Sequence, residues 1–174
     1  WNPRAFTPTY FLDFVPASKL KIAYAPSIAL NSLTDPEVAD MQPLVNRLDA
    51  ISVREERGKE LLETMTDKDV IWVLDPTLLL DADEWKRIIS PYPVKRPYIF
   101  CYILGQNKMS KQFALHAAKI LDLPLVTLPF VANGSLISLT YGDIPVYDAG
   151  PGEFLDLIQN AEYVLTDSFH ASVF

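Results

Sequence analysis

The chain has 174 residues, with 15 Lys plus Arg against 22 Asp plus Glu, a formal net charge of −7, 49% hydrophobic residues and 21% charged ones. That is too apolar for a disordered chain and too acidic overall to hold nucleic acid through a phosphate-neutralising surface. No run of about 20 apolar residues can cross a bilayer as a helix, the single Cys101 excludes an internal disulfide framework or a multi-cysteine zinc site, and two histidines are too few for a His-rich metal centre.

The chain opens at Trp1-Asn2-Pro3, without an initiator Met or a signal-peptide pattern. It closes at Phe174, soon after a strand-like run, and the expectation is an internal piece of a longer protein. Tyr10 to Val15 and Lys21 to Ala25 read as short strands joined by a loop around Pro16. Thr34 or Asp35 then caps a helix with Pro36 in its first turn. Met41, Leu44, Val45 and Leu48 share one face of that helix, and Pro43 is expected to break or kink it. Ala50 to Val53 reads as a buried strand, Arg54 to Met65 as a helix, and Val70 to Leu74 as a strand ending at Asp75-Pro76-Thr77. A short helix over Asp83 to Ile89 carries acidic residues in its first turn, where the helix dipole favours them.

Ser90 to Pro97 contains three prolines and reads as the best interdomain linker. Beyond it come a near-continuous apolar strand over Tyr98 to Leu104, a helix over Lys111 to Leu121 and a strand over Leu125 to Leu128. Val131 to Tyr141 is ambiguous, with a turn at Asn133-Gly134-Ser135. Gly150-Pro151-Gly152 precedes a helix over Glu153 to Ala161, and Tyr163 to Thr166 is the last strand. Strands and helices alternate, and the strands are solidly apolar. That combination predicts an α/β fold of parallel strands covered by helices on both faces.

In open parallel sheets, ligands bind beyond the carboxyl ends of the strands. The polar residues at the predicted ends are Ser27, Ser52 with Arg54, Asp75 with Thr77, Gly105 with Gln106 and Asn107, and Thr166 to His170. Thr166-Asp167-Ser168-Phe169-His170 sits where a helix should begin, so its free N–H groups suit an anion and His170 suits proton transfer near neutral pH. The plainer alternative makes Asp167 or Ser168 a helix cap and His170 an ordinary helical residue. Arg54 puts a cation in a helix's first turn, against the dipole. Either it binds an anion, or it pairs with Glu55, Glu56 or another nearby carboxylate. Asp75 is a candidate base or an Asx-turn residue. Gly152 belongs to a turn that only weakly resembles a phosphate-approach loop. No dinucleotide fingerprint or Walker loop occurs. Cys101 reads as core and His116 as surface.

The ordered set of these segments resembles the polysaccharide pyruvyl transferase family. The resemblance runs through Trp1-Asn2-Pro3, Tyr10 to Phe14, Ile22 to Ser27, Ser52-Val53-Arg54-Glu55, Val73 to Leu79, Gly150 to Leu155 and Thr166 to His170. It departs at Ala171, where the family often has Gly, and at Ile28-Ala29, where it often has an aromatic residue and Gly. The resemblance implies two Rossmann-like domains arranged as in GT-B glycosyltransferases. Residues 1–94 would be the C-terminal part of the first and 95–174 the N-terminal part of the second. It implies transfer of a pyruvyl group from phosphoenolpyruvate to sugar hydroxyls of a cell-surface or exported polysaccharide, forming a ketal. His170, Arg54 and Asp75 would be catalytic, with Ser27, Ser52, Gly105, Gly152 and Ser168 around the substrate. Phosphoenolpyruvate would be the donor and a glycan the acceptor, with no cofactor, no metal and no nucleic acid. The expected location is the cytoplasm or the inner face of the membrane. A nucleotide-sugar-dependent glycosyltransferase and a non-catalytic glycan- or anion-binding module are the alternatives.

Overall fold

The computed structural model describes residues 7–104, 108–129 and 141–174. The chain divides into two units, Trp1–Leu79 and Leu80–Phe174, each built on its own parallel sheet.

In the first unit, β1 (Ile22–Ala23), β2 (Ala50–Val53) and β3 (Val70–Trp72) lie side by side in that order, with Ile22 opposite Ala50 and Ile51 opposite Val70. The connections are the helices α1 (Asp35–Val45) and α2 (Glu56–Glu63). Thr34 starts α1 as expected: the Glu37 carboxylate accepts from the Thr34 backbone N–H at 2.8 Å and from its hydroxyl at 2.9 Å. The expected break at Pro43 does not occur, and α1 runs through it to Val45. Met41 and Val45, on either side of the proline, are 2% and 1% exposed. Their burial, about 1.5–3 kcal/mol for each such side chain, outweighs one lost bond in the last turn. They pack with Leu61 and Leu62 of α2 against Ile51 and Val53 of β2.

Tyr10 to Val15 is not a strand. Pro8–Phe11 forms a 3-10 turn that ends at Leu12 with φ 58°. Pro8 fixes φ and lacks a ladder donor, while Phe11 folds onto the core cluster and Tyr10 stays exposed.

The second unit begins with α3 (Ala82–Lys86), capped by Asp81, whose side chain accepts from the Glu84 N–H at 2.9 Å. Its sheet holds β4 (Ile99–Tyr102), β5 (Leu125–Thr127), β6 (Ile144–Pro145) and β7 (Tyr163–Thr166) in the order β6-β5-β4-β7, all parallel. The helices are α4 (Lys108–Leu121), α5 (Pro151–Gln159) and α6 (Phe169–Val173). Residues of β4 alternate between two cores, as the period of a strand requires. Ile99 and Cys101 pack with Ala114 and Ala118 of α4. Tyr98, just before the strand, and Phe100 pack with Leu157 and Phe154 of α5. The strand order corresponds to 3-2-1-4 of a doubly wound Rossmann-like sheet, with the order reversing between β4 and β7. β6 escaped sequence reading because it has two residues and one is Pro145, which an edge strand tolerates.

The proline-rich Ser90–Pro97 segment packs on this second unit. The Tyr92 N–H donates to Asp156 at 3.0 Å and its hydroxyl to Asp148 at 2.7 Å. Within each sheet the parallel register brings every strand's carboxyl end to one edge, and Arg54, Asp75, Asp167 and Ser168 follow strands there.

Candidate functional site

In the first unit, a polar network joins the carboxyl ends of all three strands. Ser52, 8% exposed on β2, donates its hydroxyl to the Ala23 carbonyl and accepts from the Ala25 N–H, both at 3.1 Å. It thereby holds the chain leaving β1 while Ala25 takes the left-handed φ of 51°. Arg54 follows β2. Its Nη1 meets Asp75 Oδ2 at 2.8 Å and its Nε meets Glu55 Oε1 at 3.4 Å. Glu55 turns its other oxygen toward the Ile28 N–H at 3.2 Å, so one carboxylate links Arg54 to the loop after β1. Trp72 of β3 donates its indole N–H to the Arg54 carbonyl at 3.3 Å. Asp75 is 4% exposed, and its Oδ1 accepts from the Thr77 N–H at 2.9 Å and the Thr77 hydroxyl at 2.6 Å. Arg54, Glu55 and Asp75 therefore come from the ends of β2 and β3. Ser27 faces elsewhere: with Pro26, Ile28 and Phe11 it lines an apolar cavity of about 210 Å³.

In the second unit, the chain leaves β4 toward β5 on one side and returns through α5 to β7 on the other. The junction of β4 and β7 is thus a topological switch point, the position where open α/β sheets bind ligands. Asp167 bridges it, its Oδ1 accepting the Leu104 N–H at 2.7 Å. Thr166 donates its hydroxyl to the Tyr102 carbonyl at 2.7 Å and accepts from the Ser168 N–H at 3.0 Å. Ser168, 5% exposed, is the N-cap of α6, its hydroxyl accepting from the Ala171 N–H at 3.3 Å. His170 is exposed on α6, with its ring edge-on to Phe169 at 5.3 Å. Gly105, with Gln106 and Asn107, lies outside the described residues.

A sequence profile of the family described as "Polysaccharide pyruvyl transferase" matches residues 2–174. The chain belongs to the polysaccharide pyruvyl transferase family. No curated protein and no solved structure gives a significant match. Family membership gives the chain a transferase function with a polysaccharide acceptor, and the strand-end residues are the candidates for its chemistry.

Within that transferase frame, some candidates already have structural work to do. A side chain at Gly152 would place its Cβ 2.6 Å from the Ile88 carbonyl oxygen and 2.8 Å from the Ser90 hydroxyl. The close backbone approach that requires glycine there is by Ile88–Ser90. Ser52 and Ser168 are committed to backbone groups of their own unit. Cys101 is fully buried, and burial pushes its thiol above the ordinary range, so it reads as core. Sequence reasoning missed Lys111. It lies in the first turn of α4, against the dipole, and its ammonium sits 4.9 Å above the centroid of the Tyr141 ring; Arg54, for which the sequence suggested the same departure, precedes the N-cap Glu55 and lies outside α2. Tyr141 in turn has its hydroxyl 3.7 Å from the Cys101 sulfur, and burial, followed by the neighbouring Cys101 and Asp167, drives its pKa upward. Among the described residues, no group of three His, Cys, Asp or Glu side chains could hold a metal ion. No helix among them is long and apolar enough to cross a membrane.

Proposed function

We propose that the protein transfers a pyruvyl group from phosphoenolpyruvate to a sugar of a cell-surface or exported polysaccharide. The supporting observation is the family match over residues 2–174. In the reaction, the methylene carbon of the enol takes a proton and the adjacent carbon becomes electrophilic. One sugar hydroxyl adds to that carbon, phosphate leaves with its bridging oxygen, and a second hydroxyl closes the cyclic ketal. The two hydroxyl protons balance the proton taken by the methylene carbon and the one carried off by phosphate.

The donor carries a carboxylate and a phosphate. A chain of net charge −7 needs a local, directional cation to hold it. Arg54 is given that role, because a guanidinium presents a planar fork of donors matched to either anion. His170 is given proton transfer or contact with the phosphate, since imidazole changes charge near neutral pH.

The test is phosphate release from phosphoenolpyruvate by the whole protein in the presence of a glycan acceptor. Arg54→Ala is expected to weaken phosphoenolpyruvate binding about 10-fold or more, the scale of a lost charge-assisted hydrogen bond. His170→Ala is expected to cut turnover by about 10²–10⁴-fold, the usual contribution of a general acid or base. Near-wild-type kinetics in either variant removes that residue from the mechanism.

A further inference from the structure

We propose that Asp75 is a positioning residue that sets the plane of the Arg54 guanidinium, and that it does not deprotonate the acceptor sugar. The proposal rests on the reading that Arg54 grips the donor's anion.

A general base needs a carboxylate oxygen that a substrate hydroxyl can reach within about 2.6–3.2 Å. Asp75 is 4% exposed, and both of its oxygens are engaged by protein. Oδ2 takes Arg54 Nη1 at 2.8 Å, while Oδ1 takes the Thr77 N–H at 2.9 Å and the Thr77 hydroxyl at 2.6 Å. The backbone adds to this anchoring, since Asp75 is the cap of the 3-10 turn Pro76–Leu78 and Pro76 fixes φ at its first position. The carboxylate is therefore held on one side by its own loop and presented on the other to the arginine.

Glu55 contacts the guanidinium from its Nε side at 3.4 Å and is itself tied to the Ile28 N–H. Two carboxylates at separate edges of a planar group fix its orientation as one cannot. They also offset its positive charge, so whatever grip Arg54 exerts comes from the direction of its N–H bonds more than from net charge. For such a group a small tilt is costly, because a misplacement of about 1 Å can cost on the order of 10²-fold in rate.

The experiment compares Thr77→Val, Asp75→Asn and Asp75→Ala in the whole protein. It reads KM for phosphoenolpyruvate, kcat, the pH profile of kcat, and the NMR signal of the Arg54 Nη1 protons, the ones that face Asp75. Positioning predicts that KM rises in that order, by about 2–5-fold for Thr77→Val and about 10-fold or more for the Asp75 variants. The limbs of the kcat profile should stay in place, and the Arg54 Nη1 protons should lose their protection from solvent exchange in step with KM. A base predicts instead that Asp75→Asn cuts kcat by about 10²–10⁴-fold and removes one limb of the profile, with Thr77→Val silent. That outcome overturns the proposal, as does an Arg54 signal unchanged in all three variants. Thr77→Val removes one hydroxyl and leaves every charge in place, so it separates positioning from base catalysis even where an Asp75 variant folds poorly. If the unmutated protein binds no phosphoenolpyruvate, the pyruvyl-transfer reading fails, and the Arg54 signal alone then decides whether Asp75 holds the guanidinium.

Discussion

The two sheets are built from similar strands and buried to different degrees. In the second unit, Ile99, Phe100 and Cys101 of β4 are all 0% exposed, because α4 covers one face and α5 the other. In the first unit, Ile51 and Val53 are buried against α1 and α2, whereas Ile22 and Ile71 are 54% and 59% exposed. An apolar strand thus identifies a parallel sheet without telling how many of its faces the chain covers. The difference also separates two kinds of carboxyl edge. Among the described residues, the edge of the first sheet is cross-linked by charged groups around Arg54, and the β4–β7 junction of the second by the Thr166 hydroxyl and the Asp167 carboxylate.

The largest expected effect tests that contrast in burial. Phe100→Ala empties a fully buried site beside the ring of Phe154, whose centroid is 5.9 Å away, and should cost about 3–5 kcal/mol in denaturant unfolding. Ile71→Ala on the open face should change stability by no more than about 0.5 kcal/mol. A core-sized loss at Ile71 would break the comparison by showing that this face is covered.

Gly152→Ala comes next. Its Cβ meets the Ile88 and Ser90 backbone at 2.6 and 3.0 Å, an overpacking of the kind that costs about 1–3 kcal/mol. Thermal unfolding of the variant reads it, and an unchanged midpoint would show that Ile88–Ser90 moves aside freely.

The smallest effect is at Glu37. Hydrogen bonds from the Thr34 backbone and then its hydroxyl lower the Glu37 pKa from the ordinary 4.5. A lowered carboxylate pKa stabilises the folded state above the ordinary value, and that contribution disappears as pH falls through the lowered one. The stability gap between wild type and Glu37→Gln should therefore be present at neutral pH and narrow below about pH 4. A gap that does not change with pH would remove the charge from the capping argument.

Much of this architecture was legible because its signals are local. Thr34-Asp35-Pro36-Glu37 contains a helix start within four residues, and the apolar run from Tyr98 to Leu104 needs cover on both faces wherever it sits. Other features depended on partners distant in sequence. Tyr10 to Val15 looks like a strand until Pro8 denies it a ladder, and Pro43 looks like a break until the burial of Met41 and Val45 is weighed. At the candidate site, sequence named Arg54 and Asp75 separately and anticipated a carboxylate for the arginine. It had no means of joining the two across 21 positions. The structural need for glycine at 152 was out of reach in the same way, because the backbone that approaches it lies about 60 residues earlier in the chain, at Ile88–Ser90.

The order of the strands in the second sheet also sets an order of assembly. In the first unit, Ile22 pairs with Ala50 and Ile51 with Val70, so each strand meets its neighbour within a short loop of new chain. In the second, Ile99 pairs with Leu125 on one flank, but its other flank waits for Tyr163. Closing long loops before their contacts are rewarded slows folding. A strand that ends up covered on both faces thus spends much of its synthesis as an open edge.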